Sequence, residues 1–166
     1  METSSTKILN SDAGIIIKLL NEALCEGWRE FYQSFWFGSQ LHDAKMKKEM
    51  EPEILAHVSQ ELNHGVIVAN RIEQLGGTPV INPSDWTKLA CSSYKAPIIN
   101  NIDSILYQNL KEKRSAVRKY KKIIDFTRRR DQITNQIASR IFNEESEHEH
   151  HIELWLSRFV MTREDF

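Results

Sequence analysis

The stretch that decides the fold is Asn143–Trp155, "NEESEHEHHIELW", with five carboxylates and three imidazoles in thirteen residues. Read at helical spacing, it sits inside an apolar stripe: Ile141, Glu145, His148, Ile152, Trp155 and Phe159 share one face. A second such stripe lies earlier in the chain: Ile54, His57, Glu61, His64, Val68, Ile72 and Leu75. Each stripe holds a Glu-x-x-His pair where large apolar residues belong. Burying unpaired charge is too costly to be casual. Residues three apart on a helix face the same way, so Glu61 and His64 can converge with Glu145 and His148. Carboxylate and imidazole together suit iron, manganese or zinc, and two carboxylates can bridge two such ions.

Working outward, two more helices carry the same periodicity. The first is expected over about 11–42, capped by Ser11 or Asp12, with the inward stripe Leu20, Leu24, Gly27, Phe31 and Phe35. The second is expected over about 51–76, with Pro52 in its first turn and Gly76-Gly77 at its end. The third is expected over about 102–127, with Leu106, Leu110, Lys113, Val117, Tyr120 and Ile124 inward. The fourth is expected over about 131–160. Between the second and third lies a connection over about 77–101. A helix of some 26 residues is roughly 40 Å long at about 1.5 Å per residue, and a connection of this length can cross that distance. Inside it, "PSDWTKLA" has the makings of a short helix capped by Ser84. Short, long, short connections imply an all-α, up-down-down-up four-helix bundle with one crossover, in a single domain over 1–166.

Composition bounds the function. With 166 residues, a net charge of −1 and 27% charged residues, the chain reads as one ordinary soluble domain. No secretory pattern opens it, no apolar run is long enough to span a membrane, and two cysteines make no disulfide framework. A cytoplasmic location follows as the expectation. Ten Lys or Arg between Lys111 and Arg130 face five acids between Glu144 and Glu153. Two neighbouring helix faces that complement each other are the favoured reading, and a nucleic-acid stripe is the weaker one.

"HVSQELNHGVIVANRIEQLGGTP", followed much later by "IFNEESEHEHHIELWL", resembles the ferritin-like superfamily, specifically bacterioferritins and Dps-like proteins of the thioferritin branch. That resemblance implies iron(II) oxidation and storage in a hollow shell, with two irons held by a Glu and a Glu-x-x-His from each half. It supports Glu61, His64, Glu145 and His148 as metal ligands and departs at two positions. The terminal carboxylates of the family fall on Gly27 and Lys113, and a Tyr often found after the first falls on Ser34. Leu62 stands where bacterioferritins carry their heme-binding Met, so no heme is expected. Cys91 falls at or beside one thioferritin cysteine position and Ser115 at the other. Cys25 reads as core filling.

Two placements of Lys113 stand open: its ammonium takes the place of metal charge between Glu61 and Glu145, or it bends to solvent and a weakened metal site remains. The first is favoured for the resting state. Glu26, Glu30 and Glu112 are turned away from their stripes in this register; a one-residue shift would make Glu26 and Glu112 ligands instead. His57 is a further candidate ligand. His150 and His151 point away from His148, toward solvent, a subunit surface or an iron path. Three functions are consistent with these residues. The leading one is a Dps-like iron-binding protein with reduced ferroxidase activity, its metal iron or another divalent ion. The others are a non-redox structural or DNA-protecting shell, and a different carboxylate-metal oxidase. Few residues follow Phe159, too few for a fifth bundle helix to pack, so a dodecamer or dimer is expected over larger shells.

Overall fold

The computed structural model describes residues 12–39, 41, 44–89 and 102–159. Its helices are α1 (Ala13–Ser39), α2 (Ala44–Gln74), a short α3 (Pro83–Leu89), α4 (Ile102–Thr127) and α5 (Gln132–Phe159). α1 packs on α2 and α4, and α5 packs on α4 and α2, while the diagonal pair α2 and α4 meets through long side chains. This is the four-helix bundle with a long second connection that the sequence predicts, and α3 lies within that connection against α1.

Local chemistry fixes the ends. The Asp12 carbonyl accepts from the N–H groups of Ile15 and Ile16, which starts α1. α2 begins at Ala44, about two turns earlier than the Pro52 signal implies, and carries Pro52 inside it. Proline lacks the N–H that would bond four residues back, and a long packed helix tolerates that loss better than its sequence suggests. At the other end, Gly76 has φ of +80°. Gly77 N–H donates to Ile72 and Gly76 N–H to Glu73, both at 2.9 Å, closing a Schellman cap that only glycine enters without strain. α3 is capped by Asn82 rather than Ser84: Asn82 Oδ1 accepts from Ser84 N–H at 3.1 Å, leaving Pro83 in the first turn. α5 is capped by Asp131, whose Oδ1 accepts from Ile133 and Thr134 N–H. The same carboxylate takes a 2.7 Å bond from Arg71 Nη2, so α2 and α5 are pinned by a buried ion pair at that end.

Two apolar clusters fill the bundle. One contains Ile16, Leu20, Leu24, Ile72, Ile123 and Ile141; the other contains Met50, Ile54, Leu106, Leu110, Ile152 and Phe159. Each such side chain contributes about 1.5–3 kcal/mol when fully buried. Between the two clusters lies a layer that is almost wholly charged.

The inward face of α1 differs from the expected stripe. Phe35 is 57% exposed and Phe31 only partly buried, whereas Ile16, Ala23, Glu30 and Phe37 are buried at steps of seven. Counting mostly in fours walks around a helix; a heptad keeps one seam facing its partners. Val117 and Ile124 of α4 are likewise half-buried, beside the fully inward Ala116 and Ile123.

Candidate metal centre

The charged layer is built from one side chain after another on all four long helices. Lys113, from α4, is 3% exposed. Its Nζ donates to Glu30 Oε2 of α1 at 3.0 Å, to Glu145 Oε2 of α5 at 3.0 Å, and to Glu61 Oε1 of α2. Of the two placements open to Lys113, the buried one is found. Glu30, expected to face away, is instead a full member of this layer, because the α1 seam follows the heptad.

Both histidines of the Glu-x-x-His pairs join it, in different roles. His64 Nδ1 donates to Glu145 Oε1 at 3.1 Å and Nε2 to Glu144 Oε2 at 2.5 Å. Those carboxylates, with Glu61 3.7 Å away, overcome burial and push His64 up to about 10, so it is an imidazolium. His148 Nε2 donates to Gln60 Oε1 at 2.6 Å, which leaves its Nδ1 lone pair facing Glu61 Oε1 and Glu145 Oε2, each 3.8 Å off. That buried nitrogen has no hydrogen-bond partner. Burial, and then the Lys113 charge, push His148 down to about 2, so it stays neutral. His57 stacks on it with ring centroids 3.8 Å apart and is pushed down to about 4, chiefly by burial.

The carboxylates divide as well. Burial works against the Glu61 anion, but Lys113 and His64 outweigh it and hold that carboxyl well below its usual range. Glu30 is pushed well above its usual range by burial and by the carboxylates of Glu61, Glu145 and Glu112, against the pull of Lys113. Two cations, Lys113 and His64, therefore face Glu61 and Glu145, while Glu30 is held as the acid. The layer closes electrostatically on its own side chains.

Glu26 and Glu112 do not contact Lys113 and take other partners. Glu26 pairs with Lys119 and accepts from the Ser115 hydroxyl at 3.2 Å; Glu112 accepts from Arg29 Nη1 at 2.9 Å. Glu26 also lines the small cavity beside the layer, together with Glu30, Glu61 and Glu145, and the Glu112 charge acts on Glu30. Gly27 faces the layer: a Cβ there meets nothing within 4 Å, and a cavity of about 10 Å³ lies beside it, lined also by Glu30, Glu61, Tyr120 and Glu145. That is room for about one water. Ser34 is buried on the same helix, and Leu62 is 46% exposed on α2. Cys25 is buried and its thiol is pushed up to about 11, which makes it inert filler; Cys91 lies outside the described residues. His150 is exposed, and His151 reaches His57 at 3.4 Å.

Glu61, Glu145 and His148 each offer a ligand atom within 4.8 Å of the others. As the chain stands, however, a pair of iron ions does not fit. The ammonium takes the same carboxylate oxygens that would bridge the ions, and His64 spends both nitrogens on carboxylates. Sequence reasoning missed Glu30, Gln60 and Glu144; Gln60 and Glu144 directly precede Glu61 and Glu145, which is the only signal they carry.

The ferritin-like domain family matches residues 17–161. The chain belongs to this family. A dodecameric thioferritin of Bacteroides fragilis, described as bacterioferritin-related, shares 35% identity over 98% of this chain and 97% of its own, with a TM-score of 0.89. The Dps protein of Vibrio cholerae O1 shares the fold at 15% identity, covering 88% of this chain and 91% of its own, with a TM-score of 0.80. A bacterioferritin of Rhodobacter capsulatus does so at 20%, covering 88% and 86%, with a TM-score of 0.72. No curated protein matches significantly. Among the described residues, no helix is long and apolar enough to cross a membrane.

These titration shifts predict a stability optimum near neutrality. His57 and His148 have lowered folded values, so their contribution is full above about 6.5 and is lost as pH falls toward 4 and below. His64 has a raised folded value, so its contribution is full below about 6.5 and is lost as pH rises toward 10. Urea unfolding should therefore show greatest stability at about pH 6–7, falling by on the order of a few kcal/mol toward pH 4 and toward pH 10. His64→Gln should flatten the alkaline limb; an unchanged limb would show that His64 is not the imidazolium.

Proposed function

We propose that this protein is a Dps-like iron-handling member of its family in which an ammonium–carboxylate cluster stands where relatives oxidise iron. The single observation that carries the reading is Lys113 Nζ within hydrogen-bond distance of Glu30, Glu61 and Glu145. Iron, as substrate or cargo, meets a centre already neutralised, so ferroxidase activity there is reduced. Only one of the two expected losses is complete: Glu30 supplies α1 with a carboxylate one turn from Gly27, while α4 has an ammonium instead.

The chain is proposed to form a homo-oligomer and to work in the cytoplasm. Tyr32, Phe35 and Trp36 on α1, and Leu55, Leu62 and Val66 on α2, are large apolar side chains left exposed on a single chain. The Bacteroides fragilis relative is dodecameric, and a shell of that kind would cover such a face. Light scattering that returned a monomer would remove the shell.

A DNA-protecting reading is weaker than the sequence allowed. The basic face of α4 is partly neutralised within the chain: Arg114 holds Glu149 and Glu153 at 3.0 and 2.7 Å, Lys119 holds Glu26, and Lys121 holds Asp125. The decisive experiment is anaerobic iron(II) titration followed by oxygen or peroxide. Weak binding and slow ferric absorbance are expected. Rapid oxidation of about two irons per chain, the complement of an intact family centre, would overturn the proposal.

A further inference from the structure

A line of hydrogen bonds runs from the bundle surface to the buried ammonium. Arg140 Nε on α5, its side chain 61% exposed, donates to Glu144 Oε1 at 2.9 Å. Glu144 Oε2 accepts from His64 Nε2 at 2.5 Å, and His64 Nδ1 donates to Glu145 Oε1 at 3.1 Å. Glu145 Oε2 then accepts from Lys113 Nζ at 3.0 Å. Charge alternates at every step, and each carboxylate gives one oxygen to each neighbour. The other Glu-x-x-His pair is built the same way at its first step. Gln60 directly precedes Glu61 and holds His148 of α5 at 2.6 Å, as Glu144 directly precedes Glu145 and holds His64 of α2. There the line stops, because His148 Nδ1 has no hydrogen-bond partner.

An imidazole tied at one nitrogen still turns about its bond to Cβ, a torsion with broad minima. One tied at both nitrogens has its plane fixed. His64 is tied at both, to consecutive residues of α5. With Nε2 given to Glu144, Nδ1 is aimed at Glu145 Oε1, and the other oxygen of that carboxylate is left for Lys113. We propose that Glu144 is a positioning residue for the buried cluster, acting through His64 to hold Glu145 against Lys113. This rests on the reading of Lys113 as the cation of the centre. Bonds between ionised partners are about twice as strong as neutral ones, so Glu144 holds the ring firmly from near the surface, at 21% exposed. Arg140 only braces it, since an exposed pair of this kind contributes little by itself.

A thermodynamic cycle read by urea unfolding of the full chain tests this. Glu144→Ala and Lys113→Met should be non-additive by about 10-fold in the unfolding constant, within the range for residues of one network. In a His64→Leu background the same two changes should be additive, because the link between them is gone. If Glu144 merely ties α2 to α5, the first pair is already additive and the proposal fails. Coupling that survives His64→Leu means that Glu144 acts on Lys113 by charge alone, and the proposal fails equally. Glu144 is partly exposed, so its single variants should fold even where the combined ones do not, and their crystal structures give a second reading. Glu144→Ala should move His64 Nδ1 beyond hydrogen-bond distance of Glu145. Glu144→Gln, whose amide can accept as that of Gln60 does, should keep the contact. An unmoved ring in Glu144→Ala overturns the proposal. A Lys113→Met change without cost would remove the functional reading as well, whereas a costly but additive one would remove only the role of Glu144.

Discussion

Lys113→Met should cost about 3–5 kcal/mol of folding stability at neutral pH, the penalty for removing one partner of a buried charge cluster. Methionine keeps most of the volume and packs without strain, so the loss isolates the ammonium. Without it, Glu30, Glu61 and Glu145 share a buried layer whose remaining cation is His64. With less positive charge beside them, burial favours the protonated form of these carboxyls. In that case the folded state binds more protons, and the variant should regain stability as pH falls toward about 4.3. It should also regain stability when manganese or zinc is added, because a divalent ion can take the vacated position between the carboxylates. Urea unfolding across pH, with and without metal, reads both effects. A variant as stable as the parent at pH 7 would mean that Lys113 does not neutralise the layer.

The sequence yields the outer parts of this centre more readily than its middle. α5 was legible because Ile141, Ile152, Trp155 and Phe159 frame Glu145 and His148 with large apolar side chains, so the polar intruders stand out. α1 was not. Its inward face carries Glu26, Arg29, Glu30, Gln33 and Ser34 in succession, and no buried apolar residue marks the seam between Cys25 and Phe37. Phe31 and Phe35 offered a stripe that looked more hydrophobic and led outward. The charges that make those polar positions tolerable, Lys113, Lys119 and Glu112, come from α4, some ninety residues away. Periodicity sees one helix at a time; charge compensation across a bundle lies between helices. Lys113 itself was legible because it interrupts an otherwise apolar stripe, and its partners Glu61 and Glu145 interrupt theirs.

Gly27→Glu combined with Lys113→Glu should convert the layer into a centre that binds about two iron(II) ions per chain and oxidises them with oxygen. Charge favours this outcome, and position 27 accepts a Cβ while Lys113→Glu shortens the side chain that fills the layer. A Cβ at position 27 meets no atom within 4 Å, and the adjoining cavity opens onto Glu30, Glu61 and Glu145. Loss of the ammonium frees the oxygens of Glu61 and Glu145 to bridge, and His148 Nδ1 already faces them without a partner. His64 must give up a proton to act as a ligand, and nearby divalent charge favours that loss, as it does for any coordinating side chain. Metal-free, the double variant should be less stable than Lys113→Met, since added carboxylates repel one another in the same layer. Lys113→Glu alone should bind iron more weakly, with Glu30 as the one carboxylate from α1. Anaerobic titration gives the stoichiometry, ferric absorbance gives the rate, and thermal unfolding with and without iron gives the linkage. If the double variant folds but binds no more iron than the parent, substitution at these two positions is not what separates this centre from an iron-oxidising one.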